Sequence, residues 1–351
     1  MSPKLKYWDA AATTPVDSRV LEKMLPYFSE IFGNASSNHV YGKQAKNAIE
    51  EARKHVAAII NADPKEIYFT SGATEAINWA LKGYLEANPE KGNHIITVKT
   101  EHKAVLNTCE YLETKGYEVT YLDVNENGLI NLLDLEGAIQ SNTALISVMY
   151  VNNEIGIIQD IQLIGEIARR NNIVFFCDAT QAIGKIHVDV ITDNINMLSL
   201  SGHKFNGPKG IGALYLQKGI ELTPFIHGGG QENGMRAGTY NTPLIVGLGE
   251  ATRIAREEFN ERLDKLNIMR REIENYFIDN DLGSINFSNQ PRAPHILSIS
   301  IKNGDAEDFL IAKNQDFVAA TGSACNSGIV EQSQVIKALR RDSNKFLRIS
   351  L

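Results

Sequence analysis

The sequence predicts an α/β fold: a large domain whose mainly parallel sheet is flanked by helices, plus a smaller α+β domain. Three observations carry this. Short apolar runs alternate with amphipathic stretches over about 200 residues. The runs are apolar on both faces, as buried parallel strands are. Beyond one long helical stretch the texture changes to an alternating strand, a short helix and a run of small polar residues.

The predicted strands are 67–69, 94–98, 119–122, 144–149, 173–177, 197–199 and 212–216. Between them, 44–60 repeats Ala45, Ala48, Ile49, Ala52, Val56 and Ile59–Ile60 at helical spacing. Residues 104–115, 132–139 and 161–170 read the same way. One helical stretch is predicted over 243–277, with Leu248, Ala251, Ala255, Phe259, Leu263 and Leu266 on one face. Residues 296–301 then alternate like a half-exposed strand, 306–312 read as helix, and 321–328 read as a mobile loop. The expected division is a large domain over 15–250 and a small domain formed by 1–14 and 251–351.

Composition narrows the function classes. The 351 residues are 43% hydrophobic and 22% charged, enough to bury a core without disulfide or metal staples. The net charge of −7 argues against a strong field for nucleic acid or an anionic membrane. No apolar run reaches the roughly 18 residues of a membrane span, and Met1–Asp9 lacks the apolar core of a secretory signal. Cys109, Cys177 and Cys325 are widely spaced and odd in number, which fits a reducing cytoplasm better than a disulfide framework.

Six segments could carry chemistry. Ser71-Gly72-Ala73-Thr74-Glu75 follows a strand and opens a helix, so its free N–H groups and the Thr74 hydroxyl could hold a phosphate, or merely cap the helix. Asp178 ends an apolar strand in Cys177-Asp178-Ala179-Thr180-Gln181. There a carboxylate needs a cation or a proton, such as a pyridinium nitrogen, unless it only caps the next turn. Lys204 lies just past a strand in Ser201-Gly202-His203-Lys204, where a desolvated amine could form a Schiff base, although most lysines are solvated surface charges. His102, in Thr100-Glu101-His102, could stack on a flat cofactor, move protons, or cap a helix. Asn153, in Val151-Asn152-Asn153-Glu154, could bind a ring oxygen or a carboxylate, or belong to a turn. Cys325 sits in the small-residue run 321–328 and reads as an accessible thiol, unlike Cys177 on its apolar strand. Phosphate turn, histidine, asparagine, aspartate and lysine all follow successive strands, so one sheet edge would present them together. A phosphate cup, a pyridinium partner and a Schiff-base lysine are the parts of a pyridoxal phosphate site.

With these segments in view, the chain closely resembles the cysteine desulfurases of iron–sulfur cluster assembly, class V aminotransferases among the fold-type I pyridoxal phosphate enzymes. The matching segments run in family order over nearly the whole chain: Trp8–Val16, Phe32-Gly33-Asn34, Phe69–Glu75, Thr100–Val105, Asn152–Gly156, Asp178–Gln181, Ser201–Gly212, His227–Glu232, Arg236–Thr239 and Gly322–Ser327. The resemblance implies that Lys204 binds pyridoxal 5'-phosphate, Asp178 pairs with the ring nitrogen, Gln181 bonds the ring hydroxyl, and His102 stacks and assists proton transfer. Ala73, Thr74, Ser201 and His203 would hold the phosphate. Asn153 would touch cofactor or substrate carboxylate. Thr239 would reach the phosphate of a neighbouring subunit, which implies a homodimer with composite sites. Cys325 would accept the sulfur of L-cysteine as a persulfide, leaving L-alanine, and pass it to an acceptor such as an iron–sulfur scaffold or a thiolation protein. Its loop, 320–327, is of the longer type that serves scaffolds. Perturbed pKa values are expected for Lys204 and His102.

Two departures stand out. Alanines occupy positions 10 and 11, where the family often has His or Ser. Family members also continue past the segment resembling Phe346–Leu351 with Gly-Arg and a helix, and that arginine binds the substrate carboxylate. The expectation is a chain lacking that arginine, with Arg348 preceding the segment's strand and taking no substrate role. A truncated, impaired desulfurase that binds cofactor and partners, or a selenocysteine lyase, are the alternatives.

Overall fold

The computed structural model describes residues 5–321, 323–326 and 329–351, and side chains outside 322–331. A short strand, β1 (Lys6–Tyr7), leads to α1 (Ser18–Met24), α2 (Pro26–Ser29) and α3 (Val40–Ile59). Strands and helices then alternate: β2 (Ile67–Thr70), α4 (Ala73–Ala87), β3 (His94–Val98), α5 (Lys103–Glu113), β4 (Glu118–Leu122), α6 (Leu132–Ala138), β5 (Thr143–Ser147), α7 (Ile161–Arg170) and β6 (Val174–Asp178). Strands β7 (Met197–Ser201) and β8 (Gly212–Leu216) complete this region. Every residue of β3, β5, β6, β7 and β8 is buried, which is why their sequences run apolar instead of alternating.

The seven strands form one sheet in the order β2-β8-β7-β6-β5-β3-β4. Only β8 runs against its neighbours. The carboxyl ends of β2, β3, β5, β6 and β7 therefore share one edge, and five of the six chemical segments noted above leave from that edge; the sixth, with Cys325, does not. Gly72, at φ 153°, occupies a conformation that L side chains rarely adopt, and it lets β2 turn directly into α4.

After β8 come α8 (Thr242–Glu257) and α9 (Phe259–Asp279). The single helix expected over 243–277 is thus broken: Glu258 leaves helical geometry (ψ 12°), and its carboxylate binds Arg19 and, at 3.1 Å, Arg262. The remaining elements are β9 (Gly283–Ile285), β10 (Ile296–Ile301), α10 (Ala306–Ala312), β11 (Phe317–Val318), β12 (Ala320–Thr321), β13 (Ser323–Asn326), β14 (Ile329–Gln332), α11 (Gln334–Ala338) and β15 (Phe346–Ser350). A second sheet has the order β12-β15-β10-β9. It packs Leu297, Ile299, Leu347 and Ile349 against Trp8, Ile273, Phe277 and Phe317.

Two expectations are corrected here. The stretch 321–328 is not simply loop: Thr321 pairs with β15, and Ser323–Asn326 pairs antiparallel with β14. A ladder is made by backbone groups, so a lack of side-chain bulk does not prevent it. Arg348 lies inside β15 rather than before it, and β15 runs between β10, which pairs with all of it, and the two-residue β12.

The segment from Trp8 to Asp17 straps the two sheets together. Ser350 N–H donates to Trp8 O (2.9 Å), and Ala10 N–H to Ser350 O (3.1 Å). Further along, Thr14 N–H donates to His203 O (2.9 Å), and Asp17 N–H to Asn206 O (3.0 Å).

Helices α3 and α8 approach closely at Gly249, where a Cβ would lie 2.5 Å from the Cβ of Ala52. Gly249→Ala gains about 1 kcal/mol of helix propensity but overpacks the contact by about 1–3 kcal/mol. The urea midpoint is expected to fall; a rise would mean that the helices separate freely.

Candidate active site

Nine of the eleven residues picked out from sequence line one cavity of about 540 Å³ at the carboxyl edge of the large sheet: Ala73, Thr74, His102, Asn153, Asp178, Gln181, Ser201, His203 and Lys204. Thr239 is exposed and does not line it. Cys325 falls in β13, and its side chain is outside the described residues.

Lys204 follows β7 in a single 3₁₀ turn. Its Nζ donates to the carbonyls of Ala11 (2.6 Å) and Ala12 (3.0 Å). These neutral partners do not replace the water lost on burial. Desolvation, with Arg348 nearby, brings the amine down to about 8 against the opposing pull of Asp178 and Asp9. A substantial fraction is then the neutral nucleophile near physiological pH.

Asp178 ends β6, and its Oδ1 accepts three hydrogen bonds. They come from Thr180 N–H (3.0 Å), Thr180 Oγ1 (2.5 Å) and Ser199 Oγ (3.0 Å). Oδ2 has no protein partner among the described residues. Parallel pairing aligns Asp178 with Ser199 on β7, so the third donor arrives by strand register. The side chain caps its turn and still offers an oxygen, so both readings of the sequence hold at once.

His102 is the N-cap of α5, and its Nδ1 accepts the Ala104 N–H at 3.1 Å. In the neutral ring this leaves the proton on Nε2. Burial lowers the pKa of His102 and Lys204 lowers it further, while Asp178 opposes. His203 is held to about 4 by burial, Lys204 and Lys209, and its Nδ1 meets Thr13 Oγ1 at 3.1 Å. Gln181 Nε2 donates to the same Ala11 carbonyl that holds Lys204, at 2.9 Å.

At the other end of the cavity, α4 begins at Gly72 with no side-chain cap, so its first N–H groups remain available. Glu75 accepts Ser71 N–H (2.8 Å) and binds Arg236 Nε (2.8 Å), which ties this turn to the segment bearing Thr239. Arg348 donates to Asp9 Oδ1 (2.6 Å) and Asn153 O (3.1 Å), so its terminal nitrogens are engaged within the protein.

The sequence reading missed Thr180, Ser199 and the carbonyls of Ala11 and Ala12. Thr180 was discoverable, because a hydroxyl two residues after an aspartate is an Asx-turn pattern. The carbonyls had no side-chain signal.

Residues 6–351 match the model of the aminotransferase class-V family. The chain belongs to that family. It is 51% identical to the cysteine desulfurase IscS of Neisseria meningitidis serogroup C (strain 053442), over 98% of this chain and 86% of that relative. Among solved structures, a NifS-like protein superposes with TM-score 0.91 at 37% identity, covering 99% of this chain and 93% of the other. A structure titled SspA in complex with cysteine gives 0.86 at 40%, covering 99% and 98%. The large mainly parallel sheet with its smaller companion is the fold-type I arrangement these relatives share.

Class V aminotransferases use pyridoxal phosphate, and the cavity fits it. An open helix N-terminus suits the phosphate, the free Asp178 oxygen suits a ring N–H, and a desolvated lysine suits the aldehyde.

Uptake of pyridoxal phosphate by cofactor-free protein should accelerate as pH rises and level off about one unit above 8, the Lys204 value. Stopped-flow absorbance measures this; continued acceleration to pH 10 would mean a solvated amine. Lys204→Ala should lose the visible absorbance band of the bound cofactor, and a retained band would exclude Lys204 as the attachment point.

Proposed function

We propose that this chain is a pyridoxal phosphate-dependent cysteine desulfurase that converts L-cysteine to L-alanine and collects the sulfur on Cys325. The observation that carries the reading is the desolvated Lys204 amine in one cavity with Asp178, His102 and the open turn at Ala73. The cysteine desulfurase relative at 51% identity, and a structural relative bound to cysteine, support the substrate.

Ala73 N–H, Thr74, Ser201 and His203 bind the phosphate. Asp178 would pair with the ring nitrogen, Gln181 would bond the ring hydroxyl, and His102 would stack on the ring. Asn153 contacts the cofactor or the substrate carboxylate. When bound, pyridoxal phosphate supplies an electron sink for the electrons left at the substrate Cα. Lys204 Nζ takes the Cα proton and returns it as alanine is completed. Cys325 attacks the substrate Sγ as a thiolate, so an S–S bond forms as the Cβ–S bond breaks, and a persulfide remains on Cys325. His102 Nε2 assists proton movement beside Lys204.

The persulfide passes to an acceptor protein, an iron–sulfur scaffold or a thiolation protein. The composite homodimer is supported by the exposed apolar side chains Leu25, Phe28, Phe32 and Tyr41, and by the position of Thr239 outside its own cavity. In that dimer Thr239 serves the partner's phosphate site. The division proposed is 15–250 for the large domain and 1–14 with 251–351 for the small one; α8 crosses that boundary, its Ala251, Ile254 and Ala255 packing in the large-domain core. The buried free thiols of Cys109 and Cys177 support a cytoplasmic setting. No helix among the described residues is long and apolar enough to cross a membrane.

Cys325→Ser should still change the cofactor's visible absorbance when cysteine is added, yet form alanine only at background level. Normal alanine formation by this variant would exclude Cys325 as the acceptor.

A further inference from the structure

Glu101, between Thr100 and His102, has no role in the chemistry above. It is nonetheless 3% exposed and lies among the site's elements. Its Oε1 accepts the Met149 N–H at 2.5 Å. Its Oε2 is buried and has no partner among the described residues. The next N–H of that segment, from Tyr150, donates to the Asp178 carbonyl at 3.0 Å. Residues 148–150 thus extend β5 past its end, with Asp178 on one side and the Glu101 side chain standing in for β3 on the other. Asn152 adds a second tie, its Nδ2 donating to Thr100 O at 2.9 Å.

We propose that Glu101 is a positioning residue: it is held as a buried, neutral acid that joins the loop of His102 to the loop of Asn153 through the Met149 N–H. The proposal rests on the reading of Asp178 as the ring-nitrogen partner. Glu101 Oε1 has one donor and its buried Oε2 has none, so a carboxyl this poorly solvated keeps its proton. Facing Glu101 are Asp178 and Cys177 of β6 and Cys109 of α5, and burial keeps both thiols protonated. Burial, aided by Asp178 and opposed by the Met149 N–H, raises the Glu101 pKa well above that of a free glutamate.

The test uses full-length protein at saturating pyridoxal phosphate and compares thermal and urea unfolding of wild type and Glu101→Gln from pH 5 to 9. The unfolded chain loses the Glu101 proton above about 4.3, whereas the fold retains it. Wild-type stability therefore falls with rising pH relative to Glu101→Gln, by up to tenfold in the unfolding constant per pH unit, until Glu101 ionises within the fold. A difference that stays constant with pH overturns the proposal.

Pyridoxal phosphate affinity is read in parallel by equilibrium titration. Glu101→Gln retains an acceptor for Met149 and should stay within about threefold of wild type, while Glu101→Ala should weaken binding about tenfold or more. Equal losses in both variants would overturn the positioning role. If Glu101→Ala does not fold, the Glu101→Gln profile decides alone. Asp178→Asn is the control: wild-type cofactor affinity there would defeat the reading of Asp178, leaving the location of the Glu101 proton to the unfolding profiles.

Discussion

The site depends on keeping the Lys204 amine out of water without giving it a tight carboxylate partner. A full ion pair would stabilise the charged ammonium and remove the nucleophile. Two backbone carbonyls, from Ala11 and Ala12, hold the amine instead, so that its position is defined and its charge is only partly compensated. The strap that supplies them is anchored by Ser350 at one end and by His203 and Asn206 at the other. The placement of the Lys204 amine thus requires both sheets to be assembled, although the lysine belongs to only one of them.

Around the amine, the sheet edge sorts charges by depth and by donor supply. Asp178 sits where strand register and an Asx turn deliver three donors to one oxygen, leaving the other for a ligand. His102 spends Nδ1 on capping α5, so its free nitrogen carries the proton. In each case a local structural duty uses half of a polar group and leaves the other half for chemistry. The buried Arg53–Glu232 pair does related work at longer range. Both of its nitrogen–oxygen contacts are 2.9 Å, and Glu232 also accepts the Phe69 N–H at 3.1 Å. That fixes the segment leading to Thr239 against the strand that feeds the phosphate turn.

Much of this was legible in advance. Strands 94–98 and 212–216 and helix 161–170 agree with β3, β8 and α7, because apolar runs and helical spacing report burial directly. The candidate residues were found because ligands collect at the carboxyl ends of strands in open α/β sheets, and five of the singled-out segments follow such strands. The hairpin at β13 and β14 was not legible, since pairing there uses backbone groups that small polar residues do not announce. The break at Glu258 was hidden because the apolar face continues through it, while the turn is set by Arg19 from a distant helix.

By itself, the sequence determined the strand–helix alternation and the family, and it singled out a lysine, an aspartate, a histidine and a thiol as candidates, since these depend on local pattern and on residue chemistry. The tertiary structure alone decided which of them share a cavity and in what ionisation state. The amine at about 8, the free oxygen of Asp178 and the buried acid of Glu101 all arise from burial and from donors far away in the chain. Desolvation belongs to the assembled fold, and no stretch of sequence contains it.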